Sequence, residues 1–357
     1  MKDIKPAKAD DFFASIAQII EQARNTVVKS VDTVMCITYF NIGKGIVEEE
    51  QGGAARAKYG SRLLAELSNY LISRYGRGYS ETNLRSFRKF YKVYKDSIQQ
   101  MPSAKFNTTP QIRQMPSAEF TLGWSQYQIL MRIDDPAERH FYELEAAEQQ
   151  WSVEQLKRQY HSSLYERLAL SKDKNGVLEL SKKGHVLAKP KDILKTPMVL
   201  EFLGLEEKAG YSETDLEGAI IDKLQKFLLE LGKGFLFEAR QKRFSYDEQN
   251  FFVDLVFYNR LLQCYVLIDL KTDELKHQDI GQMQMYVNYY DRKVKQDFEK
   301  PTIGILLCKE KNDSIVEMTL PDNSNIYASE YKLYLPDKKL LQKKLSEWVA
   351  EYEAENE

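Results

Sequence analysis

Cysteine and histidine are scarce in this chain. Its 357 residues include three cysteines, at positions 36, 264 and 308, and four histidines. The cysteines form no CxxC pair and the histidines show no HExxH spacing, which argues against a disulfide framework and against a structural zinc site. No apolar run approaches the roughly 18 residues of a membrane span, and the N-terminal stretch lacks the layout of a signal peptide. We therefore expect a cytoplasmic protein with free thiols and no membrane partner.

The overall composition is that of an ordinary globular protein. Hydrophobic residues make up 43% of the chain and charged residues 29%, and the length is sufficient for two domains. We predict a helical domain over residues 1–170, a linker over the lysine-rich residues 171–200, and a second domain over residues 201–357.

Helical periodicity dominates the first half of the chain. Residues 9–50 and 56–75 have apolar spacing near 3.6, Ser80 is the predicted N-cap of a third helix, and Ser152 begins a capping box. The heptapeptide QMPSAKF recurs as QMPSAEF within residues 97–121, which predicts a surface loop with a short duplication. Successive short helices are typical of a winged-helix or helix-turn-helix-like module, a pattern shared by helical bundles without a DNA role.

The formal net charge of −2 hides a basic segment. Ten Lys and Arg residues stand against two Glu between residues 56 and 95, and aromatic residues are interleaved with them. Such a surface suits a phosphate backbone, with the rings available for stacking. In the alternative, the aromatic residues from Phe87 to Tyr94 form a helix core face and the basic residues only solvate the other face. The predicted nucleic-acid contacts are Arg85, Arg88, Lys89 and Lys92.

After residue 210 the pattern changes to a helix that begins at Ser212 and ends at Gly232, followed by three β-rich runs, a helix and a further strand. The second β-rich run, FFVDLVFY, is interrupted by Asp254, and the third ends on Asp269 and Lys271. An even-residue hairpin loop between these runs would set Asp254 opposite or diagonal to Asp269.

Two facing carboxylates repel one another unless a cation lies between them. Mg²⁺ is a suitable cation, because it prefers oxygen ligands and needs only one or two protein carboxylates. Lys271, on the same strand face as Asp269, could then position the attacking water or stabilise charge on a phosphate. In the alternative, Asp269 and Lys271 form a plain ion pair at a strand end.

Asp254 followed by Asp269-Leu270-Lys271, in the order αβββαβ, resembles the PD-(D/E)xK nuclease superfamily. Segments such as GYSETNLRSFRKFY, LGWSQYQILMRI and CYVLIDLKTDELKHQDIGQMQMYVNYYD are similar to its YhcG-like members over nearly the whole chain. The resemblance implies a restriction-endonuclease-like fold, Asp254 and Asp269 as metal ligands and Lys271 as the catalytic lysine. It further implies that Gln282 and Tyr286 form the Q-xxx-Y pair of RecB-like nucleases and that Glu217 is an additional metal ligand.

Residues and resemblance together predict a mixed α+β protein that acts as a Mg²⁺- or Mn²⁺-dependent deoxyribonuclease. One alternative is a catalytically silent nucleic-acid-binding protein. Another is a nuclease that an N-terminal protein-interaction domain recruits to a larger DNA-processing or defence complex, and both a homo-oligomer and protein partners stay open. Glu238, Gln241 and His277 are weaker site candidates, and Val253 stands where the superfamily's name implies proline.

Overall fold

The computed structural model describes residues 31–50, 56–99, 120–171, 174–195, 197–205, 210–311, 313–320 and 324–356. The chain divides into two compact units, Met1–Arg139 and His140–Glu357. Of the predicted helix over 9–50, the part from residue 31 onward is described and is helical. Residues 100–119, which hold most of the duplicated segment, lie outside the described residues.

The described part of the first unit is helical. Its helices are α1 at residues 31–50, α2 at Arg56–Tyr75, α3 at Glu81–Gln99 and α4 at Trp124–Leu130, while α5 at Pro136–Glu148 crosses the boundary between the units. No strand occurs among the described residues of this unit. They therefore supply the predicted helices but not the β-wing of a winged-helix domain.

Helix α3 begins where the sequence predicts, with the Ser80 Oγ accepting a 3.4 Å hydrogen bond from the Asn83 N–H. Phe87 and Phe90 are buried, and the Phe90 ring packs edge-on against Trp124 at 5.3 Å. The prediction of rings available for stacking on nucleic acid is therefore wrong for Phe87, Phe90 and Tyr94. Their spacing of three and four residues places them on the core face of an amphipathic helix.

The second unit contains eight further described helices and a six-stranded sheet. The helices are α6 Val153–His161, α7 Leu164–Leu170, α8 Lys174–Lys183, α9 Glu213–Asp222, α10 Leu224–Leu231, α11 His277–Tyr289, α12 Asp313–Thr319 and α13 Lys338–Asn356. The strands are β1 Met198–Val199, β2 Phe235–Tyr246, β3 Gln249–Asn259, β4 Cys264–Glu274, β5 Ile303–Glu310 and β6 Ile326–Lys332.

The sheet is mixed, with the strand order β1-β6-β5-β4-β3-β2. Strands β2, β3 and β4 pair antiparallel, whereas β4, β5, β6 and β1 pair parallel. Alternate residues of β4 enter two hydrophobic cores: Ile268 packs with Phe227 of α10, and Leu267 packs with Met283 of α11. The fold confirms the predicted αβββαβ order and adds β1 and β6 beside it.

The predicted helix between Ser212 and Gly232 is interrupted. Ser212 caps its start, with its Oγ accepting a 3.1 Å hydrogen bond from the Asp215 N–H. The backbone leaves the helical region at Lys223, which has φ −114° and ψ 28°, so α9 and α10 are separate helices. Gly232 ends α10 with a φ of 102°, a conformation that favours glycine.

The predicted linker is largely packed into the second unit. Within residues 171–195, α8 is helical, His185 and Lys195 are buried, and the Lys195 ammonium donates a hydrogen bond to the backbone carbonyl of Glu230. The unit also begins well before this segment, at His140. Residues 174–195 therefore belong to the second unit, whereas the sequence predicts a connection between two domains.

A buried ionic cluster attaches α6 and α7 to α10. The carboxylate of Glu230 is fully buried and lies 2.6 Å from Arg158 Nη1 and 2.5 Å from Arg167 Nη1. The two guanidiniums supply the charge that a buried carboxylate needs. They fix helices 153–170 to the sheet unit through side chains that are more than 60 residues apart in the chain.

The three cysteines are free and buried, as predicted. Burial raises the pKa of each thiol to about 12. None of the described helices combines the length and the apolarity that a bilayer crossing requires.

Candidate active site

Strands β3 and β4 bring Asp254 and Asp269 to facing positions. The loop between them, residues 260–263, has four residues, and the ladder runs from Asn259 paired with Cys264 to Leu255 paired with Ile268. In this register positions 254 and 269 are opposite one another, directly beyond the last paired residues. The even loop and the predicted register are both confirmed.

The side chain of Asp254 continues the connection between the strands where the ladder ends. Its Oδ2 accepts a 2.8 Å hydrogen bond from the Leu270 backbone N–H, and its Oδ1 accepts a 2.9 Å bond from the Gln241 side chain. Asp254 is thereby held with its carboxylate between β2 and β4.

Asp269 is 2% exposed, and its Oδ2 lies 2.8 Å from the Lys271 ammonium. This oxygen makes no hydrogen bond of acceptable geometry within the described part of the chain. Burial and then the negative charge of Asp254 raise the pKa of Asp269 to about 7, against the opposing effect of Lys271. The site therefore contains a carboxylate that is costly to ionise without a further cation.

Lys271 is cationic at neutral pH. Burial lowers its pKa, but the charges of Asp269 and Glu213 raise it more, so the net pKa lies above the ordinary lysine value. Glu213 Oε2, on α9, is 3.7 Å from the ammonium. Sequence reasoning missed Glu213, although its i, i+4 spacing to Glu217 places both on one helix face.

Glu217 reaches the site from α9 and is 3% exposed. The Gln241 Nε2 donates to Glu217 Oε2 at 2.6 Å as well as to Asp254, so a single amide bridges two carboxylates. Arg240 Nε lies 2.6 Å from Glu217 Oε1, which nevertheless has no hydrogen bond of acceptable geometry among the described residues. Gln241 has a φ of 45° within β2, a strained conformation for a non-glycine residue.

Gln282 and Tyr286 come together on α11. The Gln282 amide donates a hydrogen bond to the Tyr286 hydroxyl, and the Tyr286 ring is buried. Burial raises the pKa of Tyr286, and the negative charges of Asp269 and Asp254 raise it further. The Tyr286 hydroxyl is thus close enough to both carboxylates for their negative charges to affect its pKa.

Two weaker candidates stand apart from this constellation. Glu238 is exposed on β2 and lies 3.9 Å from Lys242. His277 is exposed at the first turn of α11. Among the described contacts, neither side chain touches Asp254, Asp269 or Lys271.

The predicted nucleic-acid contacts of the first unit differ in their surroundings. Lys89 and Lys92 are exposed on α3, and Arg85 is exposed beside Glu81 at 3.2 Å. Arg88 is half-buried and pairs with Glu50 at 2.5 Å. Arg88 therefore has a structural partner within its own unit, whereas the other three cations project from one helix face.

The donor set of the second unit fits a hard divalent cation. The described side chains contain no group of three or more His, Cys, Asp or Glu residues already gathered around a metal position. Among the described residues, two buried carboxylate oxygens, Asp269 Oδ2 and Glu217 Oε1, contact the cations Lys271 and Arg240 and are candidate ligands beside Asp254. Because Mg²⁺ takes most of its ligands from water and substrate, these oxygens are sufficient.

Residues 191–346 match the YhcG PDDEXK nuclease domain family, and residues 15–167 match the DUF1016 N-terminal domain family. The chain is 40% identical over 341 residues to a protein of Escherichia coli (strain K12) described as "Putative nuclease YhcG", covering 91% of this chain and 90% of that protein.

Two solved structures overlap with part of the chain. A repair endonuclease from Pyrococcus abyssi is 16% identical and an EndoMS-dsDNA2 complex is 15% identical, each with a TM-score of 0.24. Each overlap covers 37% of this chain and 50% of the other, so this chain spans about half their length. With two family matches and a relative of 40% identity over almost its full length, the chain belongs to the YhcG family of proteins with a PD-(D/E)xK nuclease domain.

Proposed function

We propose that this protein hydrolyses phosphodiester bonds in DNA with the help of Mg²⁺ or Mn²⁺, held by Asp254, Asp269 and Glu217. The observation that carries the proposal is the buried Asp269, whose Oδ2 lies 2.8 Å from the Lys271 ammonium and which stands opposite Asp254 in the register of β3 and β4. A buried carboxylate whose pKa is raised by desolvation and a second carboxylate is typical of a functional site. A plain ion pair at a strand end would not require Asp254 as well.

When bound by Asp254, Asp269 and Glu217, a divalent metal would supply Lewis acidity toward the scissile phosphate and the attacking water. Lys271 supplies a permanent positive charge, since its raised pKa keeps the ammonium protonated at neutral pH. We therefore assign it to stabilising charge on the phosphate rather than to accepting a proton. Gln282 is exposed and hydrogen-bonded to Tyr286, so we assign it to a contact with the nucleic-acid backbone that Tyr286 holds in place.

DNA is the proposed substrate, and the first unit supplies part of the binding surface. Arg85, Lys89 and Lys92 project from α3 at spacings of four and three residues, which places them on one face. Cations spaced in this way contact phosphates without reading base sequence. The competing function for this unit is the binding of a protein partner that brings the nuclease to a larger complex.

The test is a cleavage assay on linear, circular, branched and single-stranded DNA with Mg²⁺, Mn²⁺ or a chelator. We expect cleavage by the parent protein with either metal, and its loss in Asp254→Asn and Asp269→Asn, because each variant removes a ligand charge while keeping the side-chain shape. Asp222→Asn is the matched control, since Asp222 is an exposed carboxylate at the end of α9.

Activity of either site variant within about tenfold of the parent, or roughly 1.4 kcal/mol of barrier, would contradict the metal-ligand assignment. Metal-independent binding of DNA by the parent without cleavage on any substrate would instead favour the silent nucleic-acid-binding alternative.

A further inference from the structure

A cavity of about 570 Å³ lies between the end of β2 and the exposed face of α11. This volume is in the range of small-molecule sites. Its aromatic wall is formed by Phe244, which is stacked on Tyr289 with ring centroids 4.0 Å apart. Tyr246, two residues further along β2, lines the same cavity and is 60% exposed. A flat group that enters the cavity would therefore find one free ring.

The charge at the cavity is positive. Of its nine lining residues, Arg292 and Lys293 are basic and none is acidic. Both cations are exposed, and neither makes an ion pair with any residue that the structure describes. They lie in a π-helical turn, Tyr290–Val294, that follows α11 directly. Such turns occur frequently at functional sites.

Two side-chain amides complete the lining, Gln284 and Asn288. They lie four residues apart on α11, so they share a face, and both are exposed. Amides offer both donors and acceptors, which suits the edge of a nucleobase. Ring, cations and amides are together the chemistry that recognises a nucleotide.

The cavity is next to the candidate active site. Tyr286, whose pKa reports the charges of Asp254 and Asp269, packs edge-on against Phe244 with ring centroids 5.6 Å apart. Residues 284–289 thus connect the two places through one helix. A strand whose phosphate lies at Asp269 and Lys271 would have its adjoining nucleotides near this cavity.

We propose that the cavity binds one unpaired nucleotide of the substrate strand, with the base on Tyr246 and a phosphate at Arg292 and Lys293. A base inside a duplex cannot enter, because its neighbours cover both of its faces. The identity of the strand rests on the proposed function. The preferred substrate is consequently DNA with an unpaired nucleotide beside the cleaved bond.

The test measures binding by the full-length protein in a chelator, so that no cleavage is involved. The probes are a short single-stranded oligonucleotide with one 2-aminopurine and the same sequence as a blunt duplex. We expect Tyr246→Ala to weaken binding of the single strand about tenfold or more and to leave duplex binding unchanged. Tyr334→Ala is the matched control, because Tyr334 is also exposed, at 47%, and does not line the cavity.

Two further variants separate stacking from charge and from misfolding. Arg292→Gln combined with Lys293→Gln should lower the salt slope of single-strand binding by about 0.7 per lost phosphate contact, whereas Tyr246→Ala should not change the slope. Gly281 also lines the cavity, and an added Cβ there meets open space. Gly281→Leu should therefore fill the cavity and weaken binding while α11 stays folded.

Equal single-strand affinity of the parent, Tyr246→Ala and Gly281→Leu would overturn the proposal, as would a parent that binds no single strand in the chelator. Cleavage by the parent with no effect of these variants would leave the nuclease and remove the nucleotide site. If the parent cleaves nothing but these variants lose single-strand binding, the nucleotide site stands and the proposed nuclease activity is removed.

Discussion

The Asp254 carboxylate accepts a 2.8 Å hydrogen bond from the backbone N–H of Leu270, at the point where the ladder between β3 and β4 ends. The Asp254 carboxylate thus takes the place of a β3 main-chain carbonyl as the acceptor for the Leu270 N–H, beyond the last paired residues of β3 and β4. Asp254 therefore has a structural contact in addition to its proposed role as a metal ligand. Substitutions of Asp254 that keep a side-chain oxygen should therefore lower the stability of the protein less than substitutions that remove it.

We predict that Asp254→Asn, whose single amide oxygen can still accept from the Leu270 N–H, is more stable without metal than Asp254→Ala by about 1–3 kcal/mol, because alanine leaves this N–H without an acceptor. Urea denaturation in a chelator measures the difference, with Asp222→Ala as the control for loss of a carboxylate. Equal stability of the Asn and Ala variants would show that the hydrogen bond to Leu270 contributes nothing.

Asp269 should make the stability of the metal-free protein depend on pH. The folded-state pKa of about 7 lies above the unfolded value near 3.9, so the unfolded chain binds fewer protons between these limits. The stabilisation by protonated Asp269 is complete below pH 4 and is lost as the pH rises through about 7. Burial is the largest cause of this raised pKa, and the charged groups that face Asp269 are Asp254, Lys271 and Glu213.

Asp269→Asn removes this titration. We expect the melting temperature of the variant, relative to the parent in a chelator, to increase between pH 4 and pH 7 and then to level off. Thermal denaturation monitored by circular dichroism across this range tests the prediction. A difference that is constant with pH would mean that Asp269 has an ordinary pKa.

Lys271→Met should separate metal binding from turnover. The lysine is a charge beside Asp269 rather than a ligand, so the variant should retain metal binding and lose cleavage. Isothermal titration calorimetry with Mn²⁺ and a cleavage assay give the two measurements. Loss of metal affinity in this variant would assign the lysine to a structural role, and unchanged turnover would remove it from the reaction.

Gln241→Ala should destabilise the metal-free protein by about 1–3 kcal/mol, because Glu217 and Asp254 lose the amide that they share. Glutamine and alanine bear the positive φ of residue 241 alike, so Gln241→Gly is the companion variant that relieves the backbone while removing the amide. Chemical denaturation in a chelator should rank the parent above both. An alanine variant as stable as the parent would mean that the amide bridge contributes nothing to stability.

The exposed cations of α3 should contribute a salt-dependent part of DNA affinity. Replacing Arg85, Lys89 and Lys92 with glutamine should lower the salt slope on duplex DNA by about 0.9 per lost contact and weaken binding to all sequences equally. The matched control replaces three exposed lysines of α13, Lys339, Lys343 and Lys344, which alters the net charge by the same amount. Equal slopes for both triple variants would favour a protein partner for the first unit.

Much of the site could be predicted because the signals are local. Asp254 and Asp269 interrupt or end apolar strands, and the even loop between the strands set their register. The helix caps at Ser80, Ser152 and Ser212 are likewise short-range patterns.

The remaining features depend on contacts between distant parts of the chain. The bridge from Gln241 to Glu217 involves a positive φ at residue 241, and the sequence gives no sign of it because the residue is not a glycine. The aromatic residues of α3 were ambiguous between a core and a stacking surface, and only their packing against Trp124 resolves this. Glu230 is an ordinary helix acid in the sequence, and its two arginine partners come from α6 and α7.

The ionic cluster around Glu230 limits how this protein can be divided. A cut between the two matched families, after residue 167 and before residue 191, would separate Glu230 from Arg158 and Arg167, the two guanidiniums that pair with it. Breaking buried ion pairs of this kind costs about 3–5 kcal/mol, a large share of the stability of a domain. The matched nuclease domain alone should therefore be less stable than a fragment that also contains residues 153–170. Natural recombination within the family should therefore keep helices 153–170 together with the nuclease domain. Exchange points should lie before residue 153 rather than at the border between the two matched families.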